Sequence, residues 1–393
     1  MNKLLNSIPD QQIALGKEES RKLLKAALAS SYQAVLFTGR NSARKSGAED
    51  FVKTAALECG VDLLIWDQVT PEPDIDTVLA MRDFLKNNNI DTVIAAGGGS
   101  VLDAAKAALL LAETDQDINH LFGINMYSHS NPQQSLHRII AIPTTSGTGS
   151  ESTQYANIVD RTTGVKRLIA EKEIVPHYAL LVPEFTHSMP QSVSLATACD
   201  ALAHLLEGFL NTRADASSGN ANYRAIAGIR LIVDNLPRIM EDPDDAAARK
   251  NLAVASCLGG SVIRFKSTGL PHLCSFSWFG RIEHGMAVIM LLPAAWEYYL
   301  GNEDVAQRTM ELAPVFPGST PLEVINSFRH FTAKLGVPPT LAAYPMLTWD
   351  LMESTAKNAG ANKMKLELAP RPVPLEESNR ILLGILEKAY KGE

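Results

Sequence analysis

"DTVIAAGGGSVLDAAK", residues 91–106, passes from an unbroken apolar run through three glycines into an Ala-rich helical pattern. A strand that is apolar at successive positions is buried on both faces, the mark of a parallel sheet covered by helices. Consecutive glycines let backbone approach a ligand closely, and the helix that follows offers its free N-terminal amides to an anion. In open parallel sheets, ligands bind beyond the carboxyl ends of the strands, which is where this loop falls. A tight strand-to-helix turn would read the same way, so the loop needs a second signal.

Working outward, "AVLFTG" (34–39), "VDLLIWD" (61–67), "RIIAIPTT" (138–145) and "YALLVPEF" (178–185) read as further strands separated by amphipathic helices. This alternation predicts an α/β dinucleotide-binding domain with a parallel sheet. After residue 185 the strand signals fade, and "MPQSVSLATACDALAHLLEGFL", "YRAIAGIRLIVDNLPRIM" and "DAAARKNLAVASCLGG" are helical. The expected organisation is an α/β domain over 1–185 and an all-α domain over 186–393, in keeping with a 393-residue chain.

The second signal is "PTTSGTGSES" (143–152), which also follows a strand and is rich in Gly, Ser and Thr. Neither loop is GxGxxG or GxxxxGK[ST], so the common nucleotide fingerprints are absent. Two phosphate-suited loops in one sheet nonetheless favour a nucleotide. The net charge of −7 argues against a nucleic-acid partner. Cys59, Cys199, Cys257 and Cys274 are scattered, which suits a reducing cytoplasm. "MNKLLNSIPDQQ" lacks the apolar core of a signal peptide, and no stretch is read as a membrane span.

"CDALAHLLEGF" (199–209) places Asp200 and His204 one turn apart on an apolar helix, where both cost free energy unless something compensates them. "GLPHLCSFSWFGRIEHGMAVIMLLP" (269–293) adds His272 and His284. Three imidazoles and a carboxylate suit a divalent transition metal with a position left open. Taken singly, each histidine fits a hydrogen-bonded core residue at least as well.

In combination, "GGGSVLDAAKA", "IPTTSGTGSES", "SMP…DALAHLLEGF" and "PH…HG…LLP" resemble, in order, the motifs of the iron-containing (group III) alcohol dehydrogenase family. The resemblance implies that Asp200, His204, His272 and His284 hold Fe(II) or Zn(II). It implies that Gly97, Gly98, Gly99, Ser100 and Asp103 form the pyrophosphate loop. Thr144, Thr145, Gly147, Thr148 and Ser150 correspond to a second cofactor loop, and Lys166 to a lysine near the cleft. The implied activity is NAD(P)-dependent interconversion of an aldehyde and a primary alcohol, by a homodimer or higher homo-oligomer in the cytoplasm.

Three departures from the pattern matter. Phe276 stands where the family usually has a second histidine four residues after the one matched by His272, so proton delivery falls to water or the cofactor ribose. Arg264 and Lys266, in "SVIRFKSTG" (261–269), are expected to bind an anionic tail on the substrate. "TGLPHLCSF" also resembles the phosphonoacetaldehyde reductase branch, which likewise lacks the second histidine; a 3-deoxy-octulosonate (sugar-acid) alcohol oxidase, a general short-chain alcohol dehydrogenase and a glycerol-1-phosphate dehydrogenase-like enzyme are the alternatives. A regulatory nucleotide-binding protein with a decayed metal site is the non-enzymatic alternative. Finally, Gly39 replaces the aspartate often found after the first strand, where an acid would repel a 2′-phosphate. With Arg40, Ser42 and Arg44 close by, the loop predicts that NADPH is accepted; a plain turn would predict little preference.

Overall fold

The computed structural model describes residues 1–131, 136–212 and 219–392. Its main sheet contains β1 (Gln12–Leu15), β2 (Gln33–Gly39), β3 (Asp62–Val69), β4 (Thr92–Gly97), β6 (Arg138–Pro143) and β9 (Tyr178–Leu181). Their order is β1-β9-β6-β4-β2-β3, and all pairs are parallel. The expected inner strands form from apolar runs shielded on both faces, with β4 buried along its whole length, whereas β3 lies at the sheet edge and is half-buried. In the β4–β6 register Gly97 faces Pro143, so both glycine loops leave adjacent strands at the same level.

Two features were not expected from the sequence. β1 is a short edge strand with partly exposed residues, too weakly patterned to stand out. β5 (Gly123–Ile124), β7 (Tyr155–Asp160) and β8 (Val165–Ala170) form a small second sheet in which β7 and β8 run antiparallel. Its central strand, "VKRLIA", carries two charges, and pairing on both sides rather than composition makes it a strand.

From Gln191 onward the regular elements are helical, with Gln191–Leu210, Ala221–Glu241, Ala246–Phe265 and His284–Tyr299 the longest that build the core. The expectation that no stretch could span a membrane needs correcting. Gln191–Leu210 is long and apolar enough, but 89% of its most apolar window is buried inside the protein. It is the central core helix, largely apolar because neighbours cover it on most sides, with Asp200, His204 and Glu207 as buried polar exceptions.

The second glycine loop docks onto these helices. Gly149, at φ +61°, lies so close to Gly260 in the Ala246–Phe265 helix that a Cβ on Gly260 would sit 2.1 Å from the Gly149 carbonyl oxygen. A Cβ on Gly147 would fall 2.5 Å from Cβ of Thr197 in the Gln191–Leu210 helix. The loop therefore joins the sheet to the helix that bears Asp200 and His204.

Candidate functional site

Asp200 and His204 project from the middle of the Gln191–Leu210 helix; His272 comes from the short Leu270–Ser275 helix, and His284 opens the His284–Tyr299 helix. The Nε2 atoms of His272, His284 and His204 lie 3.5, 3.6 and 3.7 Å from one atom, Oδ1 of Asp200. These separations are too long for hydrogen bonds. Two ligands each about 2.1 Å from a tetrahedral ion stand roughly 3.4 Å apart, close to what is found. Asp200 Oδ1 and His272 Nε2 are both buried without a hydrogen-bond partner. Buried polar atoms left unsatisfied are costly, and a shared cation satisfies both. The donor set and its spacing fit Fe(II) or Zn(II).

Behind His272, its Nδ1 lies 2.9 Å from Oε2 of Glu207, a fully buried carboxylate. The same oxygen accepts the Gly269 amide at 2.6 Å, at the start of the His272 helix. Glu207 thereby fixes the ring so that Nε2 faces Asp200. Burial disfavours the charged form of His272, but the Glu207 and Asp200 carboxylates outweigh it and raise its pKa to about 9. Burial pushes His204 down to about 4 and His284 down to about 3. Burial alone would raise the Asp200 carboxyl; the adjacent imidazoles hold it well below the usual range instead. Phe276 stacks against His284, with ring centroids 6.3 Å apart and an 11° tilt, so the position carries packing and no titratable group.

The two glycine loops meet one another. A Cβ on Gly99 would fall 2.6 Å from Thr148, and one on Gly98 3.3 Å from Thr145. Gly98, Gly99, Ser100, Thr145 and Thr148 are only half-buried, so they line an open surface beside the N-terminus of the Gly99–Ala112 helix. That helix start lacks a side-chain cap, leaving amides for an anion. The other expected cofactor residues are placed differently. Gly97, Thr144, Gly147 and Ser150 are buried. Asp103 accepts from Ser150 Oγ at 2.6 Å and from the Asn157 amide at 2.9 Å. Ser150 Oγ also accepts from Lys106 Nζ at 2.8 Å. Asp103 and Ser150 thus brace the loop, because their side-chain polar atoms are engaged with one another, with Lys106 and with the Asn157 amide.

Arg264 and Lys266 are corrected most clearly. Arg264 donates to the Pro9 carbonyl at 3.1 Å and lies 3.4 Å from the Asp10 carboxylate. Lys266 is buried and donates to the Asn211 carbonyl at 2.8 Å, capping the Gln191–Leu210 helix. A basic group at a helix C-terminus meets the negative end of the dipole. Neither cation points at the metal cluster. Lys166 pairs with Glu72 at 2.6 Å, and its charge helps to disfavour protonation of His284, which puts it near the cluster.

At the end of β2, Gly39 and the exposed Arg40 and Ser42 share one turn. Arg44 is held by Glu49 at 3.0 Å and Asp67 at 2.7 Å, so it is not free for a phosphate. Arg40 makes no ion pair among the described residues.

Sequence reasoning missed Glu207 and Lys106. Glu207 completes a stripe with Asp200 and His204 at i, i+4 and i+7, a visible signal that was not used. Lys106, one turn beyond Asp103 in an Ala/Leu run, is fully buried and donates to Ser150, Thr153 and the Tyr155 carbonyl.

Comparison with known proteins agrees with this geometry. The family model described as iron-containing alcohol dehydrogenase matches residues 10–183, and that described as Fe-containing alcohol dehydrogenase family, C-terminal, matches residues 194–386. Probable alcohol dehydrogenase EutG of Salmonella typhimurium is 37% identical over 237 residues, which is 60% of this chain and 58% of that protein. The match thus spans less than two thirds of that relative's length. NAD-dependent methanol dehydrogenase of Bacillus methanolicus is 30% identical over 80% of this chain and 82% of its own. NADPH-dependent butanol dehydrogenase of Clostridium saccharobutylicum is 28% identical, covering 79% and 80%. Among solved structures, an iron-containing alcohol dehydrogenase from Thermotoga maritima superposes with a TM-score of 0.80 at 29% identity, covering 96% of this chain and 98% of that one.

Proposed function

We propose, from the premise that the chain belongs to the iron-containing alcohol dehydrogenase family, that it interconverts an aldehyde and a primary alcohol with NAD(P)H at the Asp200–His204–His272–His284 centre. The observation that carries this reading is the convergence of three Nε2 atoms on one unsatisfied carboxylate oxygen. A bound dication would supply Lewis acidity toward the substrate oxygen, and the nicotinamide would supply or accept hydride.

The chain's own residues set the surroundings. Glu207 orients His272, Phe276 packs one face of His284, and the Gly98–Ser100 amides receive the pyrophosphate. Phe276 offers no titratable group beside His284, so proton delivery at the substrate oxygen would fall to water or to the ribose of a bound cofactor. The test is reduction of short-chain aldehydes by protein reconstituted with Fe(II) or Zn(II). Turnover should require both metal and reduced cofactor; a metal-replete protein that reduces no aldehyde would sink the reading.

The cofactor reading rests on Gly39. A Cβ there would come 3.2 Å from the Val69 carbonyl oxygen, a contact that a shift of a few tenths of an ångström relieves. Gly39→Asp is therefore expected to fold and to lower kcat/KM for NADPH about tenfold or more relative to NADH, since a buried or half-buried like-charge contact costs more than 1 kcal/mol. If the wild type does not use NADPH, the reading of this turn is wrong.

The finer assignment, an aldehyde with an anionic tail as in phosphonoacetaldehyde, no longer draws support from Arg264 and Lys266. A sugar acid such as 3-deoxy-octulosonate shares that anionic chemistry. Either needs a different cation.

A further inference from the structure

We propose that the Lys365 ammonium, with the hydroxyls of Ser267 and Thr268, forms the subsite that receives the anionic tail of a carboxylate-, sulfonate- or phosphonate-bearing aldehyde. The proposal rests on the aldehyde–alcohol reading above and names the substrate class for the same site.

Lys365 lies in the short Lys363–Leu368 helix, which packs against the His272-bearing helix. Its Nζ donates to Ser267 Oγ at 3.0 Å and to Thr268 Oγ1 at 3.1 Å. These hydroxyls belong to the segment that leads directly into Gly269 and His272. Among the described residues Lys365 makes no ion pair, and two hydroxyls use two of its three N–H donors. A half-buried ammonium served only by hydroxyls lacks a counter-charge. Burial accordingly lowers its pKa to about 8, opposed by the charge of Glu207. Ser267 and Thr268 run directly into Gly269, whose amide donates to the Glu207 carboxylate that holds His272, so the cation stands at the start of the His272 helix.

The charge balance points the same way. The charge of a bound divalent ion would be matched by Asp200 and Glu207, with the histidines neutral as ligands. Lys365 then adds one uncompensated positive charge. Lys166, by contrast, already has Glu72. An anionic oxygen could accept the third N–H of Lys365, and Thr268 could turn its hydroxyl proton toward it, whereas Ser267 already donates to the Thr268 carbonyl at 3.0 Å. Charge-assisted hydrogen bonds of this kind are stronger than the hydroxyl contacts they supplement.

The experiment compares metal-reconstituted wild type, Lys365→Met and Lys365→Arg on succinic semialdehyde, phosphonoacetaldehyde and butanal. Wild type should prefer the anionic aldehydes in kcat/KM. Lys365→Met should reduce the anionic-to-butanal ratio about tenfold or more through KM, and Lys365→Arg should restore part of it. In parallel, methylphosphonate should inhibit butanal reduction by the wild type competitively and inhibit Lys365→Met much less. A purely structural tie between the Lys363–Leu368 helix and residues 267–268 predicts a fall in Tm and equal losses on all three aldehydes; that result overturns the subsite. Equal use of all three by the wild type overturns it too, while leaving the oxidoreductase reading intact. If no aldehyde is reduced, the oxidoreductase reading fails, and calorimetric titration of the wild type with methylphosphonate still decides the subsite. The same titration decides it if Lys365→Met does not fold: binding supports it, and no binding overturns it.

Discussion

His272→Ala is expected to purify with less than about a tenth of the wild-type iron or zinc, and to lose turnover by on the order of a thousandfold or more, with its helical content retained. Lewis-acid stabilisation is worth several kcal/mol, and each 1.36 kcal/mol is a factor of about ten. Glu207→Gln separates ligation from orientation. The amide oxygen can still accept from Gly269 and His272, whereas the charge that strengthens His272 as a donor is gone. Loss of an outer partner of this kind typically costs about 10- to 100-fold in metal affinity. Chelator competition on both variants provides the measurement. Wild-type metal affinity in His272→Ala would remove that residue from the ligand set.

Gly285→Ala should be the most damaging single methyl group near the site. A Cβ on Gly285 would lie 1.9 Å from the Ala196 carbonyl oxygen and 2.9 Å from the Asp200 amide nitrogen. Both obstacles are backbone of the Gln191–Leu210 helix, so no side chain can swing aside. Relief requires the two helices to separate by roughly 1 Å, which moves His284, the preceding residue, away from Asp200. Overpacking of this type costs about 3 kcal/mol, and differential scanning calorimetry should show a fall in Tm together with metal loss. Gly384→Ala is the control. It sits in the Ser378–Lys391 helix with nothing within 4 Å of its Cβ position, and should be stabilising by about 1 kcal/mol. A metal-replete, undisturbed Gly285→Ala protein would show that the contact between the helices is looser than the structure has it.

The strands were legible wherever burial makes a run of apolar residues, as in "DTVIAAG" and "RIIAIP". Edge strand β1 and the β7–β8 hairpin were not, because their pairing partners, rather than local composition, stabilise them. The four proposed metal ligands stood out in the sequence as residue types in a family order, but the order says nothing of how the side chains converge.

Local chemistry in the sequence thus determined the strand–glycine–helix units, the polar stripe on an apolar helix and the donor types for a transition metal. Tertiary structure alone decided which charges are available. Arg264 is drawn off by Asp10, more than two hundred residues away in the chain, Lys266 by a helix end and Arg44 by two carboxylates. Lys365, which sequence reading passed over, is left without a counter-ion among the described residues. The physical reason is range: propensity and periodicity act over a few residues, whereas the pairing of a charge depends on whatever folding brings within about 4 Å.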